Sequence, residues 1–208
     1  MKTSEKILLI SLDLFNRQGE RNTTSVDIAN ELDISPGNLY YHYKGKDDII
    51  NALVDSYIVR INAISHVSDD HEDFYKYLFY CLETMHLFRF LFQNIAEIST
   101  QYPSIHSKLQ RLAKFQRQHL RKLLTELQQN GTLTGSVDDI DLLLDIISLT
   151  LFQSLNYYQM QGDPLTDPDI VYRTLMTIYF SLQPYYHEHS DTAQIKQAIL
   201  DKALIKKT

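Results

Sequence analysis

The chain has 208 residues, 44% of them apolar and 22% charged, enough to bury a core and too apolar for wholesale disorder. Six glycines and five prolines are few, which argues for long helices and against a loop-rich all-β chain. A formal charge of −6 excludes a protein that coats itself in nucleic acid through a general basic surface, so any such contact is local.

In chain order, Ile7, Leu8, Ile10, Leu12, Leu14 and Phe15 give a first amphipathic helix, ended by Gly19. Thr24 with Asp27 three residues on has the form of a capping box, opening a short second helix through Val26, Ile28, Ala29 and Leu32. Asp33-Ile34-Ser35 reads as a turn. Ser35-Pro36 then starts a third helix, Ser as N-cap and Pro at the first helical position. That helix is brief, because Lys44-Gly45-Lys46 follows, and Asp47 and Asp48 sit in the first turn of the next. Beyond residue 50 the pattern predicts longer helices near 47–65, 70–94, 104–130, 138–161, 168–187 and 192–205. Pro103, Gly131, Gly135, Gly162-Asp163-Pro164 and Pro168 punctuate them. The fold class is therefore all-α. A small N-terminal unit of residues 1–48 precedes a larger helical body of residues 49–208, with one long helix joining them.

Two short helices with a tight turn, leaning on a preceding helix, match the helix-turn-helix plan. Residues 1–50 carry six Lys and Arg against eight acids, a net of −2. DNA contact through this unit would depend on a few placed groups. Leu39 and Tyr43, four apart, share an inward face and read as core. Gly37, Asn38, Tyr41 and His42 are left to point outward. Asn can read an adenine edge, Gly allows close approach, and the Tyr40 hydroxyl can donate to a phosphate. Lys46 supplies a cation at the next helix start. Thr24 and Ser35, as N-caps, mark helix ends where a phosphate can approach.

The residues Thr23-Thr24-Ser25-Val26-Asp27-Ile28-Ala29 and Ile34-Ser35-Pro36-Gly37-Asn38-Leu39-Tyr40-Tyr41-His42-Tyr43-Lys44-Gly45-Lys46 resemble the DNA-binding segment of the TetR family of transcriptional regulators. The resemblance covers roughly residues 5–53. Asp33 stands where the family often has Gly, Ser25 where an apolar residue is common, Tyr41 where a basic residue is common, and Tyr43 where Phe is common. The resemblance implies a DNA-binding set of Thr24, Ser35, Gly37, Asn38, Tyr40, Tyr41, His42 and Lys46. It also implies a C-terminal body that binds a small-molecule effector and forms a homodimer on a double-stranded operator, with repression the expected outcome.

The body adds its own signals. The segment 138–161 is apolar on nearly all sides, and 168–187 adds Ile170, Val171, Leu175, Met176, Ile178, Tyr179 and Leu182. Such helices need burial on more than one face, either in a monomer core or against a second copy. The segment 70–94 is dense in aromatics, which serve as core or as the wall of an apolar pocket. Phe79, Glu83, His86, Phe90 and Gln93, with Arg89 nearby, are the candidate effector residues. Lys108, Arg111, Lys114, Arg117, Arg121 and Lys122 form a cationic run, read either as a solvated face or as an attractor of an anionic effector or DNA.

Catalysis finds little support: no phosphate loop, dinucleotide fingerprint or nucleophile elbow occurs, and His187-Glu188-His189 is a weak metal pattern. Neither a cofactor nor a metal site is expected. One cysteine, Cys81, excludes an intrachain disulfide framework and fits a reducing cytoplasm. No apolar run approaches the roughly 18 residues of a membrane span, and the first residues do not read as a signal peptide. A cytoplasmic, ligand-responsive DNA-binding regulator is the resulting expectation. Its rivals are a helical dimer acting through protein partners and, more remotely, a helical enzyme.

Overall fold

The structure, a computed structural model, describes residues 1–65, 71–93, 95–187 and 197. Among them the chain is helical, with no strand and a single isolated bridge between Leu133 and Tyr186. It divides into two compact units, one of residues 1–61 with 88–109, the other of residues 62–87 with 110 onward. The helix-turn-helix segment shares its unit with residues 88–109.

In the first unit, α1 (Thr3–Gln18) buries Ile7, Ser11, Leu12, Leu14 and Phe15, the stripe that its spacing dictates. Gly19, at φ 85°, ends it and donates its N–H to the Phe15 carbonyl. Next come α2 (Ser25–Glu31) and α3 (Pro36–His42), each seven residues long. Between them Asp33 takes φ 53°, the left-handed conformation that its turn requires and that Asp tolerates better than most residues. The long α4 (Lys46–Ile64) buries Ile49, Ile50, Leu53, Val54, Tyr57 and Ile61. Residues 88–109 complete this core with α6 (Phe90–Gln93), α7 (Ile95–Gln101) and the start of α8 (Pro103–Gln129). The Phe90 ring lies 5.3 Å from that of Phe15, and the Tyr57 ring sits 5.6 Å from each of Phe88 and Phe92.

In the second unit, α5 (His71–Leu87) and α9 (Val137–Met160) pack against α10 (Asp169–Leu182), which ends in a 3-10 turn at Gln183–Tyr185. Phe79 of α5 stacks on Tyr172 of α10, centroids 5.8 Å apart and planes at 28°. Tyr75 lies 6.0 Å from Tyr179, and its hydroxyl bonds that of Tyr186. Arg117 and Arg121 of α8 meet Asp145 and Asp141 of α9. Descending along one helix while ascending the other, these pairs fix an antiparallel register. Ser136 caps α9 reciprocally with Asp139.

Three elements differ from the reading by periodicity, one of them the helix predicted over 168–187, which ends at Leu182 before the 3-10 turn that holds Pro184. The predicted helix at 70–94 breaks at Phe88–Arg89, separating α5 from α6. Phe90, Leu91 and Phe92 are all buried in the short α6 that follows the break. The pattern gives no element between 94 and 104, where α7 forms; its one fully buried residue, Ile98, leaves no periodic signal. The predicted helix at 192–205 lies outside the described residues apart from residue 197.

The left-handed turn makes a prediction. Asp33→Val places a β-branched residue at positive φ and is expected to cost about 1–2 kcal/mol, whereas Asp33→Gly stays within about 1 kcal/mol of the parent. Urea unfolding of the two variants measures both.

Candidate nucleic-acid interface

Three anchors hold the two short helices. At α2, the Thr24 hydroxyl accepts the Asp27 N–H (3.1 Å) and donates to the Asp27 carboxylate (2.7 Å), which also accepts the Thr24 N–H (2.7 Å). These bonds, the hydroxyl's first, hold the Asp27 carboxyl below its ordinary value. Arg17 of α1 reaches both Asp13 (2.8 Å) and Glu31 (3.2 Å), tying α1 to the end of α2. At α3, Ser35 Oγ accepts the Asn38 N–H (3.2 Å), with Pro36 at the first helical position as its missing N–H allows.

The inward side of α3 is fixed by Leu39, fully buried, and by the half-buried Tyr43 just past its end, whose hydroxyl lies 3.4 Å from the Ser4 carbonyl. Burial raises the Tyr43 phenol above its ordinary value, so it stays a neutral donor. With Leu39 and Tyr43 turned inward, Gly37, Asn38, Tyr40 and Tyr41 are exposed, Tyr41 to 85%. His42 is half-buried, with the Tyr41 ring edge-on at 5.1 Å. Thr24 and Ser35 are exposed. A Cβ on Gly37 would meet only Ser35 Oγ, at 3.9 Å. The backbone there is ordinary helix, so nothing in this chain's own packing requires glycine.

Lys46 stands apart from this exposed set. Its Nζ lies 2.7 Å from the Glu20 carboxylate and donates to the Glu20 carbonyl at 3.0 Å. The same carboxylate accepts the Tyr102 hydroxyl at 2.9 Å. Burial and the neighbouring Glu20 push the Tyr102 phenol well above its ordinary value. Glu20 and Tyr102 have no motif signature, and they lie 82 positions apart in the sequence. Next to Glu20, Arg21 pairs with Glu97 of α7. Of the six cations in residues 1–50, Arg17, Arg21 and Lys46 are thus engaged by the chain's own acids.

The cationic run on α8 is largely matched in the same way: Lys108 by Asp55 (2.6 Å), Arg117 by Asp145 (2.6 Å), Arg121 by Asp141 and Lys122 by Glu126 (3.4 Å). Arg111 and Lys114 remain exposed. Of the candidate effector residues, Phe79, Glu83 and His86 fall in the second unit and Phe90 and Gln93 in the first. Phe79 and Phe90 are buried, and the Phe90 N–H donates to Asn16 Oδ1 (3.0 Å). Cys81 is wholly buried, accepts a long contact from Gln116 Nε2 (3.8 Å), and has its thiol pushed up to about 12 by burial. Among the described residues, no cluster of His, Cys, Asp and Glu could hold a metal, and no helix is long and apolar enough to cross a membrane.

Two family models match the chain. Residues 7–53 match the model of bacterial regulatory proteins of the tetR family, and residues 58–193 match the TetR model described as a bacterial transcriptional repressor. The biofilm operon negative regulator IcaR of Staphylococcus epidermidis is 28% identical over 109 residues, covering 50% of this chain and 52% of IcaR, so the chain spans about half that relative's length. The transcriptional repressor KstR2 of Mycolicibacterium smegmatis is 23% identical over 173 residues, 78% of this chain and 82% of the relative. Among solved structures, a TetR-family regulator from Marinobacter aquaeolei superposes with a TM-score of 0.85 at 24% identity, covering 96% of this chain and 99% of that one. KstR2 of Mycobacterium tuberculosis gives 0.65 at 22% identity, over 90% and 96%. The named relatives are transcriptional regulators, not enzymes. With both the helix-turn-helix and most of the helical body matched, the chain belongs to the TetR family of transcriptional regulators.

Proposed function

We propose that the chain is a homodimeric, cytoplasmic repressor that reads a palindromic double-stranded operator through α3 and is released by a small-molecule effector. The observation that carries this is the exposed face of α3. Gly37, Asn38, Tyr40 and Tyr41 are presented by a helix whose opposite side is locked by Leu39 and Tyr43. Thr24, Ser35 and His42 border that face. Asn38 offers a bidentate partner for adenine in the major groove, and the Tyr40 hydroxyl a donor to phosphate. Gly37 has open space around its missing side chain, which a close-lying DNA surface would fill.

The second copy would lie along α9. Leu142, Ile146, Leu149, Gln153, Tyr157 and Met160 are exposed and follow one another by three or four residues, so they form one stripe along the helix. Leu149 is 66% exposed and Met160 86%. Met176 and Phe180 lie on the partly exposed side of α10. Paired with their symmetry mates, the two helices form a four-helix interface of the isologous kind. Two reading helices then meet half-sites one helical turn, about 34 Å, apart. The effector would occupy the helical body, with Phe79, Glu83 and His86 of the second unit as its candidate contacts. Its binding would favour a spacing of the two α3 helices that mismatches the operator.

The first test is binding of the purified protein to DNA from its own gene neighbourhood at two salt concentrations, where selective and strongly salt-dependent binding is expected. Failure of selectivity in protein that has been denatured, stripped of bound small molecules and refolded as a dimer would sink the reading. Gly37→Ala is expected to leave stability unchanged or raise it by up to about 1 kcal/mol, because Ala is the better helix former. It should weaken DNA binding by at least about tenfold; unchanged affinity would show that no surface approaches Gly37. Leu149→Arg should yield a monomer by sedimentation equilibrium with its helical circular dichroism intact, and a persisting dimer would place the interface elsewhere.

A further inference from the structure

The family pattern puts a lysine at the start of α4 and invites its assignment as a phosphate contact. The geometry gives it another role, and we infer that Lys46 is a positioning residue, held by Glu20 and Tyr102, which fixes the start of α4 and with it the end of the DNA-reading helix. The inference rests on the reading that this chain binds DNA through α3.

The Lys46 ammonium is not offered to a ligand. It sits 2.7 Å from the Glu20 carboxylate and 3.0 Å from the Glu20 carbonyl, and its side chain is 23% exposed. Glu20 is 7% exposed and also accepts the Tyr102 hydroxyl. A phosphate that drew Lys46 away would leave a buried carboxylate without its cation, a heavily penalised arrangement. The exchange would trade one short ion pair for a more solvated one.

The network has the reach to position. Glu20 lies in the turn between α1 and α2, Lys46 is the first residue of α4, and Tyr102 joins α7 to α8. Three connections therefore converge on one carboxylate. Other ties support the same place. Arg21 pairs with Glu97, the Phe90 N–H donates to Asn16 Oδ1, and Gln101 Nε2 donates to the Tyr102 hydroxyl (3.0 Å). Only three residues separate the end of α3 at His42 from Lys46, so a shift of the α4 start is passed on to α3.

The test uses the full chain and a duplex enriched by the parent protein from a random-sequence pool. Lys46→Met is expected to lower affinity about tenfold with the salt dependence unchanged. A phosphate contact would instead lower the slope of log affinity against log salt by about one, and that result overturns the inference. The exchanged pair Glu20→Lys with Lys46→Glu should recover most of the affinity that Lys46→Glu alone loses; a direct contact gives no recovery, since position 46 would then repel phosphate. Tyr102→Phe removes only a hydroxyl and keeps the fold. It should weaken binding about threefold at the same slope, and parent-like affinity would remove Tyr102 from the network. If no duplex is enriched, the DNA-binding reading fails and the positioning role with it. A thermal-unfolding double-mutant cycle between Glu20→Gln and Lys46→Met still reports separately whether the two residues are coupled.

Discussion

A seven-residue helix cannot hold itself together in water. Isolated helices shorter than roughly 12–15 residues are marginal, because the first turn fixes several residues before the hydrogen bonds accumulate. Both α2 and α3 have that length, so their existence depends on what surrounds them. Thr24 and Ser35 satisfy N–H groups at their starts, Ile28, Ala29 and Leu39 sink into the core, and Arg17 and Tyr43 tie them to α1. Each side chain on the outer face of α3 is aimed by a helix that has one place to sit.

The charge balance follows a related logic. Acids outnumber cations, and many cations are engaged inside the chain: Arg17 and Lys46 within the first unit, Arg117 and Arg121 between α8 and α9. Pairs as exposed as those of α8 each contribute about 0–1 kcal/mol. Their effect lies in register, since an antiparallel ladder of opposite charges disfavours sliding of α9 along α8. The half-buried Lys46 and buried Glu20 form a different kind of pair, in which losing either partner strands the other.

The parts legible in the sequence were those encoded locally. Thr24 and Asp27 lie three apart, Ser35 adjoins Pro36, and Gly19 follows the last apolar residue of α1, so each cap or stop was visible in a window of a few residues. The bounds of α8 and α9 were legible because their apolar stripes end close to Gly131 and Gly162, whereas α10 stops at Leu182, short of the 187 that its pattern suggests. What escaped was non-local. Glu20 and Tyr102 meet across 82 residues, and nothing in either neighbourhood announces the other. The break at Phe88 was hidden because a dense aromatic run looks helical on any face. The same density hid which aromatics fill a core. Phe90 packs on Phe15 and Phe79 on Tyr172, in different units, although eleven residues of apparently continuous helix join them.

The single cysteine has a practical consequence. Its thiol is wholly enclosed and held to about 12, so at neutral pH it is protonated and out of reach of electrophiles. An alkylating reagent can capture it only when the helices around it part. The chain therefore carries one built-in timer: the rate at which Cys81 becomes labelled reports how often the helical body opens, with no engineered probe and no second thiol to confuse the count.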